Sequence, residues 1–65
     1  MRILVNGVWR ESSASGLDSV LVELGYGEAV VSTAVNGEFI ATGARAGTLL
    51  ADGDRVEVLA PMQGG

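Results

Sequence analysis

The stretch Val30-Val31-Ser32-Thr33-Ala34-Val35-Asn36-Gly37-Glu38-Phe39-Ile40-Ala41 decides how the chain is read. A β-rich run from Val30 to Val35 meets Asn36-Gly37, and Glu38 to Ala41 follows. Asn-Gly accepts positive φ at both central positions of a two-residue turn, so the segment predicts a β-hairpin. The same signature stands near the start, where Met1 to Val5 ends in Asn6-Gly7 and Val8 to Glu11 continues. Two tight hairpins are therefore expected, with some twenty residues between them to be placed.

Ser12 to Gly16 is small and polar, a loop that leads into a helix with Ser15 or Gly16 near its N-cap. Leu17, Val20, Leu21 and Leu24 fall at i, i+3, i+4 and i+7, one apolar stripe on about two and a half helical turns, and Asp18 places a negative charge in the first turn. Gly25 follows as a C′ residue should. Beyond the second hairpin, Thr42 to Ala51 has no sustained period and reads as an irregular connection pinned to the core by one leucine of the Leu49-Leu50 pair. Asp52-Gly53-Asp54 is a turn. Arg55 to Ala60 alternates as a strand, and Pro61 stops it by withdrawing a ladder donor.

The order is β-β-α-β-β-β. One helix covers only one face of such a sheet, which predicts a two-layer α+β sandwich with the other face wet. If Ile3, Val5, Val31, Val35, Val56 and Val58 meet the helix, the period of two turns Leu4, Ala34 and Leu59 outward as exposed apolar residues. Single surface leucines are ordinary, so exposure alone assigns them no role. Trp9, on the second strand, reads as partly buried at the sheet edge rather than as an anchor for a partner.

Composition narrows the chemistry. The 65 residues hold 4 basic and 8 acidic side chains, a formal net charge of −4, which suits one small soluble domain. The 48% hydrophobic content can build a core, though one of this size contributes only about 3 to 5 kcal/mol. There is no cysteine and no histidine, so the commonest nucleophile, general base and metal ligands are missing, and the serines have no base to activate them. Arg2, Arg10, Arg45 and Arg55 are scattered, which argues against a nucleic-acid or anionic-membrane surface and favours a basic protein partner. No apolar run reaches a membrane span and no secretory signal is legible, so the chain is expected in the cytoplasm. Asp52 and Asp54 could touch a hard cation, but as an i, i+2 pair on a turn they serve the turn itself. Lysine is absent, so the chain cannot build lysine-linked polymers of itself.

The C-terminus stands apart. Residues 1–60 form the expected domain, and 61–65 are a tail, Pro61-Met62-Gln63-Gly64-Gly65, that can reach roughly 16 Å when extended. Two final glycines make a thread without side chains, able to enter a channel too narrow for a Cβ and to bend its carboxylate toward a reagent. A free carboxylate is a poor acyl donor, so chemistry at Gly65 requires activation by a partner.

At this point the residues resemble a family. The β-β-α-β-β-β order, the Ala34-Val35-Asn36-Gly37-Glu38 hairpin, the Leu50-Ala51-Asp52-Gly53-Asp54-Arg55-Val56-Glu57 turn and the Gly64-Gly65 end are similar to the ubiquitin-like β-grasp sulfur carriers, and within them to the ThiS family of thiamine biosynthesis. The resemblance implies a mixed sheet with one covering helix and a protein that is a co-substrate, not an enzyme. It implies that an E1-like adenylating enzyme of the ThiF type, using Mg-ATP, converts the Gly65 carboxylate to an acyl adenylate. A persulfide system would then displace AMP to leave a thiocarboxylate, whose sulfur a thiazole synthase of the ThiG type would accept. The carrier would hold no cofactor or metal of its own. Met62, Gln63 and Gly64 would thread into the partner, and Leu59, Leu4 and Ala34 would dock it. Carriers serving molybdopterin synthesis, tRNA thiolation or cysteine synthesis need the same tail, and a ubiquitin-like protein modifier is the alternative of another class.

Overall fold

The computed structural model describes residues 1–60. Strands β1 (Arg2–Val5) and β2 (Val8–Glu11) form the first hairpin, α1 spans Leu17–Glu23, and β3 (Ser32–Val35) and β4 (Glu38–Ile40) form the second hairpin. One turn of 3-10 helix, Thr42–Ala44, precedes the last strand, β5 (Arg55–Leu59). Both hairpin turns have the geometry expected of Asn-Gly, with φ of 49° and 81° at Asn6 and Gly7 and 51° and 84° at Asn36 and Gly37.

The five strands lie in the order β2-β1-β5-β3-β4. β1 and β5 run parallel and the other neighbours antiparallel, so the chain's last strand occupies the centre of a mixed sheet. Ile3, Val5, Val56 and Val58 pack from the sheet against Leu17, Val20 and Leu21 of α1, and Leu50 completes this core. The helix ends in a Schellman motif: Gly25, at φ 96°, donates to the Val22 carbonyl, and Tyr26 donates to that of Leu21. Half-buried Leu24 and Tyr26 then close the core below the helix.

The second hairpin begins later than its composition predicts. Val30 is 79% exposed and Val31 half-buried, and pairing starts only at Ser32. The physical reason is Arg45, whose Nη2 donates to the Val31 carbonyl at 2.6 Å and whose Nε donates to Thr33 Oγ1 at 3.1 Å. The Val31 carbonyl is thus bound by a guanidinium and not by the ladder. Buried Thr33 also donates through its hydroxyl to the Ile40 carbonyl. β5 likewise ends at Leu59, one residue short of the expected Ala60. In the irregular connection Leu50 is buried and Leu49 is 72% exposed, as one pinning leucine requires. The Leu50 N–H reaches the Ser15 carbonyl, and the Thr48 carbonyl accepts the Leu17 N–H, tying the connection to the start of α1.

The two turn asparagines grip β5 from opposite sides. Asn6 Oδ1 accepts the Val58 N–H at 2.8 Å while its Nδ2 donates to the Val58 carbonyl at 3.0 Å. Asn36 Oδ1 accepts the Arg55 N–H at 3.0 Å, and its Nδ2 donates to Asp54 Oδ1 at 3.1 Å. The Asp54 carboxylate also accepts the Ala51 N–H and closes the turn, while Asp52 accepts the Arg2 N–H and ties the turn to β1. The Ala51 N–H first, and then the Asn36 carboxamide, hold the Asp54 carboxyl below its ordinary value of 3.8. A lowered native pKa means that the folded state binds fewer protons than the unfolded one, so this stabilisation is complete well above 3.8 and is lost as pH falls below it through the lowered native value. Melting temperatures of the wild type and Asp54→Asn should therefore differ most at neutral pH and converge as pH falls from about 5 through that lowered value. A constant difference across that range would show that the carboxylate charge contributes nothing.

Candidate functional site

The alternation that buries Val56 and Val58 turns Arg55, Glu57 and Leu59 of β5 away from the helix. The register places their neighbours on the same open face. Leu4 stands beside Trp9 on one side and Arg55 on the other; Ala34 stands between Phe39 and Glu57, and Ser32 beside Leu59. The face therefore carries Leu4, Trp9, Ala34, Phe39 and Leu59, with Arg55 and Glu57 of the central strand among them.

Leu59 is 66% exposed, but Leu4 and Ala34 are only half-exposed. The expectation of three exposed residues is corrected at these two because β1 and β3 lie inside the sheet and larger side chains flank them on both edges. Nor do the three form one patch. Leu4 pairs with the start of β5, four residues before Leu59, a separation of about 13 Å along the strand. Ala34 and Leu59 are diagonal neighbours near the end of β5, and Phe39, 68% exposed, extends that cluster on β4. Leu4 belongs with Trp9 in a second cluster, where the Arg2 guanidinium sits 4.6 Å from the indole centroid. Trp9, on an edge strand and 48% exposed, is partly covered as its position predicts.

Phe39 is the residue that sequence reasoning passed over. The signal was present: a two-residue turn at Asn36-Gly37 pairs Val35 with Glu38, so Phe39 must lie opposite Ala34 and share its face. Arg45, by contrast, is half-buried in a structural role that no local pattern announces.

Beyond Leu59 the chain reaches Ala60, and Met62, Gln63, Gly64 and Gly65 lie outside the described residues. The described residues contain no group of three or more acidic side chains able to hold a metal ion. Ser13 Oγ donates to Glu23 Oε2 at 2.8 Å and Ser12 Oγ accepts the Ala14 N–H, so these hydroxyls fasten the loop before α1. No helix among the described residues is long and apolar enough to cross a membrane.

The model of the ThiS family matches residues 3–65, including the final glycines. The chain belongs to the ThiS family. A crystal structure of the thiamine biosynthesis protein ThiS from Geobacter metallireducens is 32% identical, with each chain covered in full and a TM-score of 0.84. A solution structure of a thiamine biosynthesis protein from the same organism is 30% identical, covering all of this chain and 88% of the other, with a TM-score of 0.78. Comparison with curated proteins gives no match. This ThiS-family member is a sulfur carrier of thiamine biosynthesis and not an enzyme, and its mixed sheet with one helix is the ubiquitin-like β-grasp.

The two faces of the sheet make a direct comparison possible. Ile3→Ala, which empties a fully buried site, should cost about 2 to 5 kcal/mol by thermal or denaturant unfolding. Leu59→Ala should stay within about 0.5 kcal/mol of wild type. A Leu59→Ala loss as large as that of Ile3→Ala would reverse the orientation of β5.

Proposed function

We propose that the carrier works through its last residue, in a cycle run by partner proteins. An adenylating enzyme of the ThiF type, with Mg-ATP, joins the Gly65 carboxylate to AMP and releases pyrophosphate. A persulfide sulfur attacks the acyl carbon and AMP departs; reduction of the resulting acyl disulfide by a thiol leaves the Gly65 thiocarboxylate. A thiazole synthase of the ThiG type then takes the sulfur into the thiazole ring. The carrier binds no cofactor itself, and the cycle runs in the cytoplasm.

The observation that carries this reading is the family match through Gly64-Gly65. Further support comes from what the sequence omits: without cysteine, histidine or lysine the chain has no side-chain thiol, imidazole or amine to compete for an activated Gly65. Met62, Gln63 and Gly64 serve as the thread into the partner's site. Leu59, with Ala34 and Phe39 beside it, docks the adenylating enzyme, and Leu4 with Trp9 extends the contact. The argument for this occupant is continuity: Leu59 lies on the exposed side of the strand that leads into the tail, so a partner that grips it also sets where the tail begins.

Intact mass after incubation with adenylating enzyme, ATP and a sulfur donor should show one sulfur in place of one oxygen. Deleting Gly65 should abolish the change without altering the melting temperature, and Gly64→Val should fold normally but load slowly, because a β-branched side chain widens the thread and restricts it. Normal loading of the Gly65-deleted chain would remove the basis of the reading. For the docking face, Leu59→Ala should weaken binding to the adenylating enzyme about ten- to a hundredfold with the melting temperature nearly unchanged. Unchanged affinity would place the contact elsewhere.

A further inference from the structure

The two Asn-Gly turns are alike in chemistry and opposite in place. Asn36 grips β5 at its beginning, where its side chain accepts the Arg55 N–H and its own N–H donates to the Arg55 carbonyl at 2.8 Å. Asn6 grips β5 at its end. β1 is in register with β5 only from Leu4 beside Arg55 to Val5 beside Val56, because the chain then turns back at Asn6-Gly7. The Asn6 N–H still reaches the Val56 carbonyl at 3.0 Å, but past that point no strand among the described residues lies on the β1 side of β5. The Asn6 carboxamide stands in for one, giving an acceptor to the Val58 N–H and a donor to the Val58 carbonyl, as a neighbouring peptide group would. Val58 is thereby held through Asn6 on one edge, while its neighbours Glu57 and Leu59 are in register with Ala34 and Ser32 of β3 on the other. Two residues later the chain passes Ala60 and enters Pro61 to Gly65.

We propose that Asn6 is a positioning residue for sulfur loading: by closing the open edge of β5 at Val58, it fixes the direction in which the strand delivers the tail to the adenylating enzyme. The proposal rests on the sulfur-carrier reading given above. Asn6 bonds the backbone of Val58 and not the side chains of Ala34, Phe39 or Leu59, so it acts on the course of the strand. The direction in which β5 ends sets where the tail begins, and misplacement of a reacting group by about 1 Å can cost as much as a hundredfold in rate.

The test compares Asn6→Gly with Asn36→Gly. Glycine keeps the positive φ of each turn and removes each carboxamide, so the variants are matched in backbone and differ in which end of β5 they free. Thiocarboxylate formation is followed by intact mass with adenylating enzyme, ATP and a persulfide donor, varying carrier concentration. In Asn6→Gly we expect kcat to fall about three- to tenfold while KM for the carrier stays within about twofold. Asn36→Gly, with a comparable drop in melting temperature, should keep both values within about twofold. Hydrogen exchange should show protection of the Val58 amide falling about tenfold or more in Asn6→Gly and little changed in Asn36→Gly. Should Asn6→Gly not fold, Asn6→Asp takes its place with the same expected split, since it keeps the turn but sets an oxygen against the Val58 carbonyl. Wild-type kcat in the Asn6 variant, or an equal fall in both variants, overturns the proposal. Failure of the wild type to acquire sulfur overturns the carrier reading and the proposal with it.

Discussion

β5 is held along both edges, and the rest of the molecule is arranged to hold it. Its five residues are the last strand among the described residues, yet they lie between β1 and β3 at the centre of the sheet. Each hairpin closes on itself through a two-residue turn, but two hairpins and a short helix do not make a core until β5 enters between them. Val56 and Val58 then supply the sheet's contribution beneath α1, beside Ile3 and Val5. Strand pairing of this kind spans nearly the whole sequence: the parallel contact joins residues some fifty positions apart, an ordering cost that only burial of the shared core offsets.

That constraint also divides the labour of the sheet. A strand alternates its side chains, so the residues that hold the centre of the fold force their neighbours onto the open face. Arg55, Glu57 and Leu59 are exposed because Val56 and Val58 are buried, and exchanging these roles would need a register slip that strips the core. The open face carries apolar side chains at its edges and charge between them. Trp9 and Phe39 lie on opposite edge strands, with Arg55 and Glu57 on the strand that separates them. A domain this small has little core to spare, so placing Leu59 and Phe39 in water is a cost in solubility that packing does not explain. The docking proposed above would give that exposure a use.

Much of this was legible in the residues, and what was not has a common physical cause. The Asn-Gly turns, the stripe of Leu17, Val20 and Leu21 and the alternation along β5 are local patterns, and they appear where composition and period place them. The exposed side of Leu59 followed from that alternation. The late start of β3 at Ser32 did not, because it depends on a guanidinium fourteen residues away that binds the Val31 carbonyl. The half-burial of Leu4 and Ala34 was equally hidden, since it follows from strand order, to which a period of two is blind. Phe39 could have been read from the turn register alone. The carboxamide of Asn6 could not: its two bonds to Val58 cross fifty-two positions, and to sequence reasoning Asn6 is only a residue that tolerates positive φ.

The double use of asparagine shows why Asn-Gly serves this fold better than Gly-Gly would. Glycine also supplies the left-handed conformation each turn needs, but it leaves the adjoining edge of β5 unpartnered wherever the hairpin strand has turned away. Asparagine meets both demands, because its side chain repeats the donor and acceptor of a peptide group. At Asn36 the repeated group faces Arg55 and the Asp54 carboxylate; at Asn6 it faces Val58 alone. A central strand flanked by short hairpin strands would otherwise fray at both ends. One of those ends leads into the tail, so in the proposed cycle fraying there would blur the point from which Gly65 is presented.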